Sequence, residues 1–230
     1  MQKNQRLYAQ EVLRRLKREY PKRGPFVEWS NPLELLIGTV LSAQCTDKTV
    51  NRVIKKLFKK YRNAFDYSNA DISWLEKEIY STGFYKSKAK YLKGIGNMLV
   101  KKYNGEVPNK LEYLLDLPGV ANKTAHLIMA KAFGVMTGVA VDTHVARLAP
   151  RLGLTYGKNP NKIATDLEKI FPKNQYLEIN EYLIMHGRAV CVRIPKCETC
   201  VLSDICPSSP NGKKEPLKNV DFVTKFVKLQ

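Results

Sequence analysis

Two residues in the middle of the chain have the types and setting for chemistry on a sugar. Pro118 and Gly119, inside Leu114-Leu115-Asp116-Leu117-Pro118-Gly119-Val120-Ala121-Asn122-Lys123-Thr124-Ala125, break one helical run and open another, since Pro cannot continue a helix and Gly accepts angles closed to other residues. The helix predicted over 122–133 therefore starts with bare backbone N–H groups, the arrangement that binds phosphate. Lys123 stands in its first turn, where the helix dipole and any desolvation favour the neutral amine, the form that attacks a sugar or carbonyl carbon and passes through a Schiff base. As a bare residue it also reads as one surface lysine among many. Nineteen positions on, Val139-Ala140-Val141-Asp142-Thr143-His144 puts a carboxylate at the head of the next helix. Asp142 there is an N-cap by residue type, and a carboxylate facing an amine also takes its proton and stabilises positive charge on a sugar. His144 reads as a hydrogen bonder at the helix start.

A second cluster lies near the C-terminus. Cys191, Cys197, Cys200 and Cys206 are separated by five, two and five residues. Four thiolates in so short a stretch hold zinc tetrahedrally or a cubane iron–sulfur cluster, and the spacing does not choose between them. Four free thiols this close would be an oxidation hazard. The total of five cysteines is odd, and the N-terminus shows no apolar export signal, so a disulfide framework is not expected. Cys45, alone in a helix-like stretch, is expected to be a small buried apolar residue.

The elements that position these residues read as helices. Val53, Ile54, Leu57, Phe58 and Tyr61 recur at helical spacing while Lys55, Lys56, Lys59 and Lys60 take the opposite face. Similar patterns over 7–16, 32–44, 71–79, 87–103 and 176–189 are flanked by Pro, Gly, Asn, Asp or Ser. Strand alternation is nearly absent, residues 135–141 read as a connector, and the predicted fold class is all-α. A loose tail is expected from residue 207, after the last cysteine; whether residues 220–230 dock back onto the body is left open.

At 230 residues, 44% hydrophobic and 26% charged, the chain is long enough for a core and outside the disordered, collagenous and fibrous classes. Its longest apolar stretch, 127–141, contains Lys131 and two glycines, short of the ~20 clean residues of a membrane span. Lysine and arginine number 39 against 21 acids, a net charge of +18, which points to a polyanionic partner, nucleic acid first.

The run Leu117 to Ala125, followed by Val141-Asp142-Thr143-His144 and the four cysteines, resembles the endonuclease III family of helix-hairpin-helix DNA glycosylases, over residues 32–206. That resemblance implies a six-helix barrel domain over 26–135 carrying the hairpin, an iron–sulfur cluster domain over 1–25 and 136–206, and a C-terminal tail over 207–230. It makes Lys123 the nucleophile, Asp142 its carboxylate partner and Cys191, Cys197, Cys200 and Cys206 the ligands of a 4Fe-4S cluster. An enzyme acting on a base in duplex DNA must extrude it; by resemblance Gln44 fills the vacated space and Phe84 parts the opposite strand. Leu117, Gly119, Val120, Ala121, His144, Arg193 and Lys196 are the other expected DNA contacts. The implied activity is that of a monomeric, bifunctional DNA glycosylase and AP lyase removing oxidised pyrimidines from double-stranded DNA in base excision repair, cytoplasmic and nucleoid-associated in a prokaryote. Two departures stand out: five rather than six residues separate the first two cysteines, and Ala121 replaces a glycine, crowding the approach to a phosphate. Adenine-mismatch and thymine-mismatch relatives differ at the position of Lys123, and the former carry a further C-terminal domain. The reading from another class is a non-catalytic, metal-stabilised DNA-binding or redox-sensing protein, in which Lys123 would be dispensable.

Overall fold

A computed structural model describes residues 2–21 and 26–212. Those residues form eleven α-helices, three short 3-10 helices and no strand, so the all-α expectation holds. They fall into two units, one over 26–137 and one combining 2–21 with 138–212.

In the unit over 26–137, the first four helices start where polar side chains take up orphan N–H groups. Asn31 caps α2 (Pro32–Leu41) by accepting from Glu34 N–H, and Thr46 caps α3 (Asp47–Lys60) in the same way. Asn63 and Asp66 cap α4 (Ala64–Ser68) reciprocally, and Asp71 caps α5 (Ile72–Ile79). Then come α6 (Tyr85–Lys102), α7 (Leu111–Leu115) and α8 (Asn122–Phe133). The amphipathic reading of α3 is correct: Val50, Val53, Ile54 and Leu57 are buried while Lys55, Lys56, Lys59 and Lys60 are exposed. Helix α4 packs on α6 at Gly96, where a Cβ would lie 2.5 Å from the Ser68 nitrogen, so no larger residue allows this approach. The core unites Leu36, Ile37, Leu57, Leu75, Leu92 and Ile128 from five helices.

The other unit is built from α1 (Gln2–Glu19), α9 (Thr143–Arg151), α10 (Pro160–Ile170), α11 (Tyr176–Ala189) and the cysteine loop. Helix α1 buries Tyr8, Ala9, Val12, Leu13 and Leu16. Its Tyr8 hydroxyl donates to Leu152 O at 2.8 Å, and Arg15 donates to Val201 O at 3.0 Å and pairs with Asp204, which ties α1 to the stretch between the last two cysteines. Helix α9 packs on α11.

Three expectations are corrected. The helix expected over 32–44 ends at Leu41, and residues 42–45 form a turn with Gln44 at φ 52°. The physical reason is that Gln44 takes the left-handed conformation and Thr46 already caps the next helix, so the chain turns here; Leu41 O and Ala43 O, orphaned at the helix end, accept from Lys88 Nζ at 2.8 Å each. Cys45 accordingly sits half-buried in that turn, against the core rather than within it. Residues 207–212 are not loose: Ser209 is buried, its N–H donates to Cys206 O at 3.0 Å, and its hydroxyl lies 2.9 Å from that of Ser203. Residues 213–230, and with them the question of docking by 220–230, lie outside the described residues. Among the described residues, no helix is long and apolar enough to cross a membrane.

Candidate active site

The turn between α7 and α8 is held by Leu117 N–H to Leu114 O at 3.2 Å and Val120 N–H to Leu117 O at 3.1 Å. Gly119 has φ 73°, and a Cβ there would stand 2.6 Å from the Tyr91 ring, so both backbone angle and packing demand glycine. Leu117 and Val120 were expected among the DNA contacts, yet their side chains are buried in the core; at these positions the backbone is what remains to meet a ligand. Ala121, exposed, occupies the N-cap of α8 and offers no side-chain cap. Lys123, the second residue of α8, is exposed one residue beyond the helix mouth.

Asp142 caps α9. Its Oδ1 accepts both His144 N–H at 2.9 Å and Val145 N–H at 2.8 Å, and the residue is half-buried. The His144 ring lies 3.1 Å from Arg147 Nη2, and the same guanidinium group donates to Gly187 O at 3.0 Å and Cys191 O at 3.3 Å. One turn on, Arg151 donates to Val192 O at 2.8 Å and Arg193 O at 3.0 Å, with Nη1 3.6 Å from Cys191 Sγ. The helix that begins at Asp142 thus holds the start of the cysteine loop through two arginines that the motif reading passes over. Lys123 and Asp142 belong to different units.

All four clustered cysteines line one cavity of ≈ 150 Å³, together with His186, Arg151 and Ser209. Among the described residues, no three His, Cys, Asp or Glu side chains are grouped to hold a single metal ion. Burial, opposed by the Leu202 N–H and reinforced by neighbouring thiolates, pushes the Cys200 thiol up; burial does the same to Cys206, opposed by the Ser208 and Ser209 N–H groups. Four ionised sulfurs here call for positive charge among them. Burial holds the His186 imidazole down to about 4, so it is neutral, with Nε2 3.5 Å from Cys200 Sγ and Nδ1 3.0 Å from the Tyr20 hydroxyl. In the loop over 192–196, Arg193 and Lys196 are exposed.

Gln44 and Phe84 sit on two turns of the unit over 26–137. Both are exposed, and both are non-glycine residues in the left-handed region, at φ 52° and 50°. Lys88 joins their turns and escaped the sequence reading, although its signal was present: Lys88 is in helical register with Leu92, Ile95 and Leu99, and all four are buried.

Residues 37–173 match the HhH-GPD superfamily of base excision DNA repair proteins. The endonuclease III of Synechocystis sp. is 45% identical over 202 residues, covering 87% of this chain and 92% of that protein. The endonuclease III of Bacillus subtilis is 40% identical over 190 residues, 82% and 86% of the two chains. The chain belongs to the endonuclease III family. Among solved structures, a trapped endonuclease III–DNA covalent intermediate matches with a TM-score of 0.84 at 39% identity, covering 91% of this chain and 98% of that one. A thermostable thymine-DNA glycosylase matches with a TM-score of 0.78 at 26% identity. Endonuclease III family membership therefore rests on sequence and fold together, and the match spans both the hairpin and α9.

Proposed function

We propose that this chain is a bifunctional DNA glycosylase and AP lyase that removes oxidised pyrimidines from double-stranded DNA in base excision repair. The observation that carries this reading is Lys123, exposed at the second position of α8 directly after the uncapped hairpin turn. An amine there meets a deoxyribose whose flanking phosphates lie on the N–H groups of the hairpin. The Lys123 amine bonds to C1′ as the damaged base departs with the glycosidic electron pair, and Asp142 accepts a proton from the amine and stabilises positive charge on the sugar. Ring opening gives a Schiff base, loss of a 2′ proton then expels the 3′ phosphate, and water frees the lysine.

The remaining roles follow the same reading. The backbone of Leu117, Gly119, Val120 and Ala121, with His144, Arg193 and Lys196, meets the DNA strand; Gln44 fills the space left by the extruded nucleotide and Phe84 parts the opposite strand. Cys191, Cys197, Cys200 and Cys206 hold a 4Fe-4S cluster, which supplies a rigid cross-link to the loop carrying Arg193 and Lys196. All four thiols line one cavity, which fits a group held by four thiolates, and the family resemblance favours the cluster over zinc. The redox-sensing alternative leaves the hairpin lysine without a task. We place the enzyme with the DNA in the cytoplasm.

A set of duplexes, each with one oxidised pyrimidine, one abasic site or no lesion, tests the reading. Base release and a β-elimination nick are expected on the first, a nick on the second and nothing on the third. A protein that binds all three and cuts none has another function.

A further inference from the structure

Lys88 is 3% exposed, and its ammonium group donates to Leu41 O at 2.8 Å, Ala43 O at 2.8 Å and Thr82 O at 2.7 Å. An ammonium has three N–H bonds, and each here ends on a backbone carbonyl. Bonds from a charged donor are about twice as strong as neutral ones, and a buried charge is retained only where it is satisfied. The three carbonyls come from two separate turns. Leu41 ends α2 just before the turn and Ala43 lies within it, next to Gln44 at φ 52°, and Thr82 precedes Gly83 and Phe84, at φ 68° and 50°. Of the described non-glycine residues, Asn104 alone shares the left-handed region with Gln44 and Phe84. Such angles persist where the surroundings over-determine them, and Lys88 is the group common to both turns. Its place on α6, four residues from Phe84 and in register with the buried Leu92 and Ile95, anchors it to the core.

We propose that Lys88 is a positioning residue whose buried ammonium fixes the Gln44 turn and the Phe84 turn to one point, so that both side chains enter the duplex at a set separation. The proposal rests on the reading above that Gln44 and Phe84 are the residues that enter. Without the clamp, Leu41 O, Ala43 O and Thr82 O lose their donor, the turns move independently, and the extruded nucleotide is no longer held. The effect falls on base extrusion and not on the amine chemistry, since all three N–H bonds of Lys88 end on the backbone of the two turns.

The test compares Lys88→Met, which keeps the length of the side chain, with Gln44→Ala, Phe84→Ala and the triple variant. Two measurements are made at saturating DNA: base release from an intact lesion-containing duplex, and borohydride trapping on a single-stranded oligonucleotide with an abasic site, which needs no extrusion. A fluorescent base beside the lesion reports unstacking. Misplacement of a group by an ångström costs on the order of a hundredfold; a loss of that size is expected for Lys88→Met in kcat on the duplex, with weaker unstacking and trapping on the single strand within about threefold of wild type. Adding Lys88→Met to the Gln44→Ala, Phe84→Ala pair is expected to change little further. Should Lys88→Met not fold, Lys88→Gln, which keeps two N–H donors on a shorter, uncharged side chain, takes its place with the same expectation. If Gln44→Ala and Phe84→Ala slow the duplex reaction while the Lys88 variant does not, or if the Lys88 loss is equal on single strand and duplex, the proposal is wrong. If Gln44→Ala and Phe84→Ala leave the duplex reaction unchanged, the reading beneath it is wrong as well.

Discussion

The proposed function gives Asp142 two roles, and only one of them needs a carboxylate. Its Oδ1 caps α9 by accepting the His144 and Val145 N–H groups, a role asparagine fills as well, whereas taking a proton from an amine needs a carboxylate. Asp142→Asn is therefore expected to keep its stability to urea while the rate of base release falls by roughly 10²–10⁴-fold. Asp142→Ala should lose the same activity and, in addition, about 1 kcal/mol of stability. An active Asp142→Asn enzyme would reduce the residue to a cap. Glu11 gives a pH prediction: burial raises its pKa, but hydrogen bonds from Arg14 and Arg15 outweigh that and hold the carboxyl below its ordinary range. A depressed carboxylate contributes stability that is present above its unfolded pKa and lost as pH falls through the folded one. Glu11→Gln should accordingly be less stable than wild type near neutrality, with the gap closing in acid unfolding below the usual carboxylate range. At this scale the sequence nominates residues for chemistry but not their surroundings: Lys123, Asp142 and the four cysteines stand out by type and spacing, while Arg147 and Arg151 become meaningful only once α9 lies against the cysteine loop.

Elements make the hairpin a rigid part, and Gly119 is where that rigidity is tested. It shares a left-handed backbone with Gly134, but a Cβ at Gly119 meets the Tyr91 ring at 2.6 Å while one at Gly134 meets nothing within 4 Å. Gly119→Ala is expected to cost more than Gly134→Ala, which pays the backbone term alone, about 1–2 kcal/mol; equal urea midpoints would mean that Tyr91 yields freely. The same elements show how far periodicity carries. The start of α8 was legible because Pro118 and Gly119 interrupt the pattern. Helix α10 bears equal marks, Asn159 before Pro160 and then Ile163, Leu167 and Ile170 at helical spacing, and was passed over. Helix α4, five residues long, is too short to show a period, and α7, equally short, is legible only as the run that Pro118 and Gly119 break. The end of α2 had one local mark, Thr46 as the cap of α3, but the donor that satisfies Leu41 O comes from Lys88, 47 residues away, and no local pattern shows it.

For the molecule as a whole, a net charge of +18 makes DNA affinity an electrostatic quantity. The slope of log affinity against log salt should be steeply negative, and Arg193→Ala and Lys196→Ala should each make it shallower by about 0.9 if each meets one phosphate; a flat response contradicts the assignment of that loop to DNA. Iron and acid-labile sulfide at about four each per chain are expected from the cysteine cavity, with Cys197→Ser lowering both; one zinc and no colour would overturn the cluster. The central claim, that one lysine at the mouth of α8 bonds covalently to deoxyribose, is tested most directly by borohydride trapping on an abasic duplex. Wild type should give a protein–DNA adduct that survives denaturation and maps to Lys123, and Lys123→Gln should bind the duplex but give none. An adduct of undiminished yield in Lys123→Gln, or none in wild type, would contradict it.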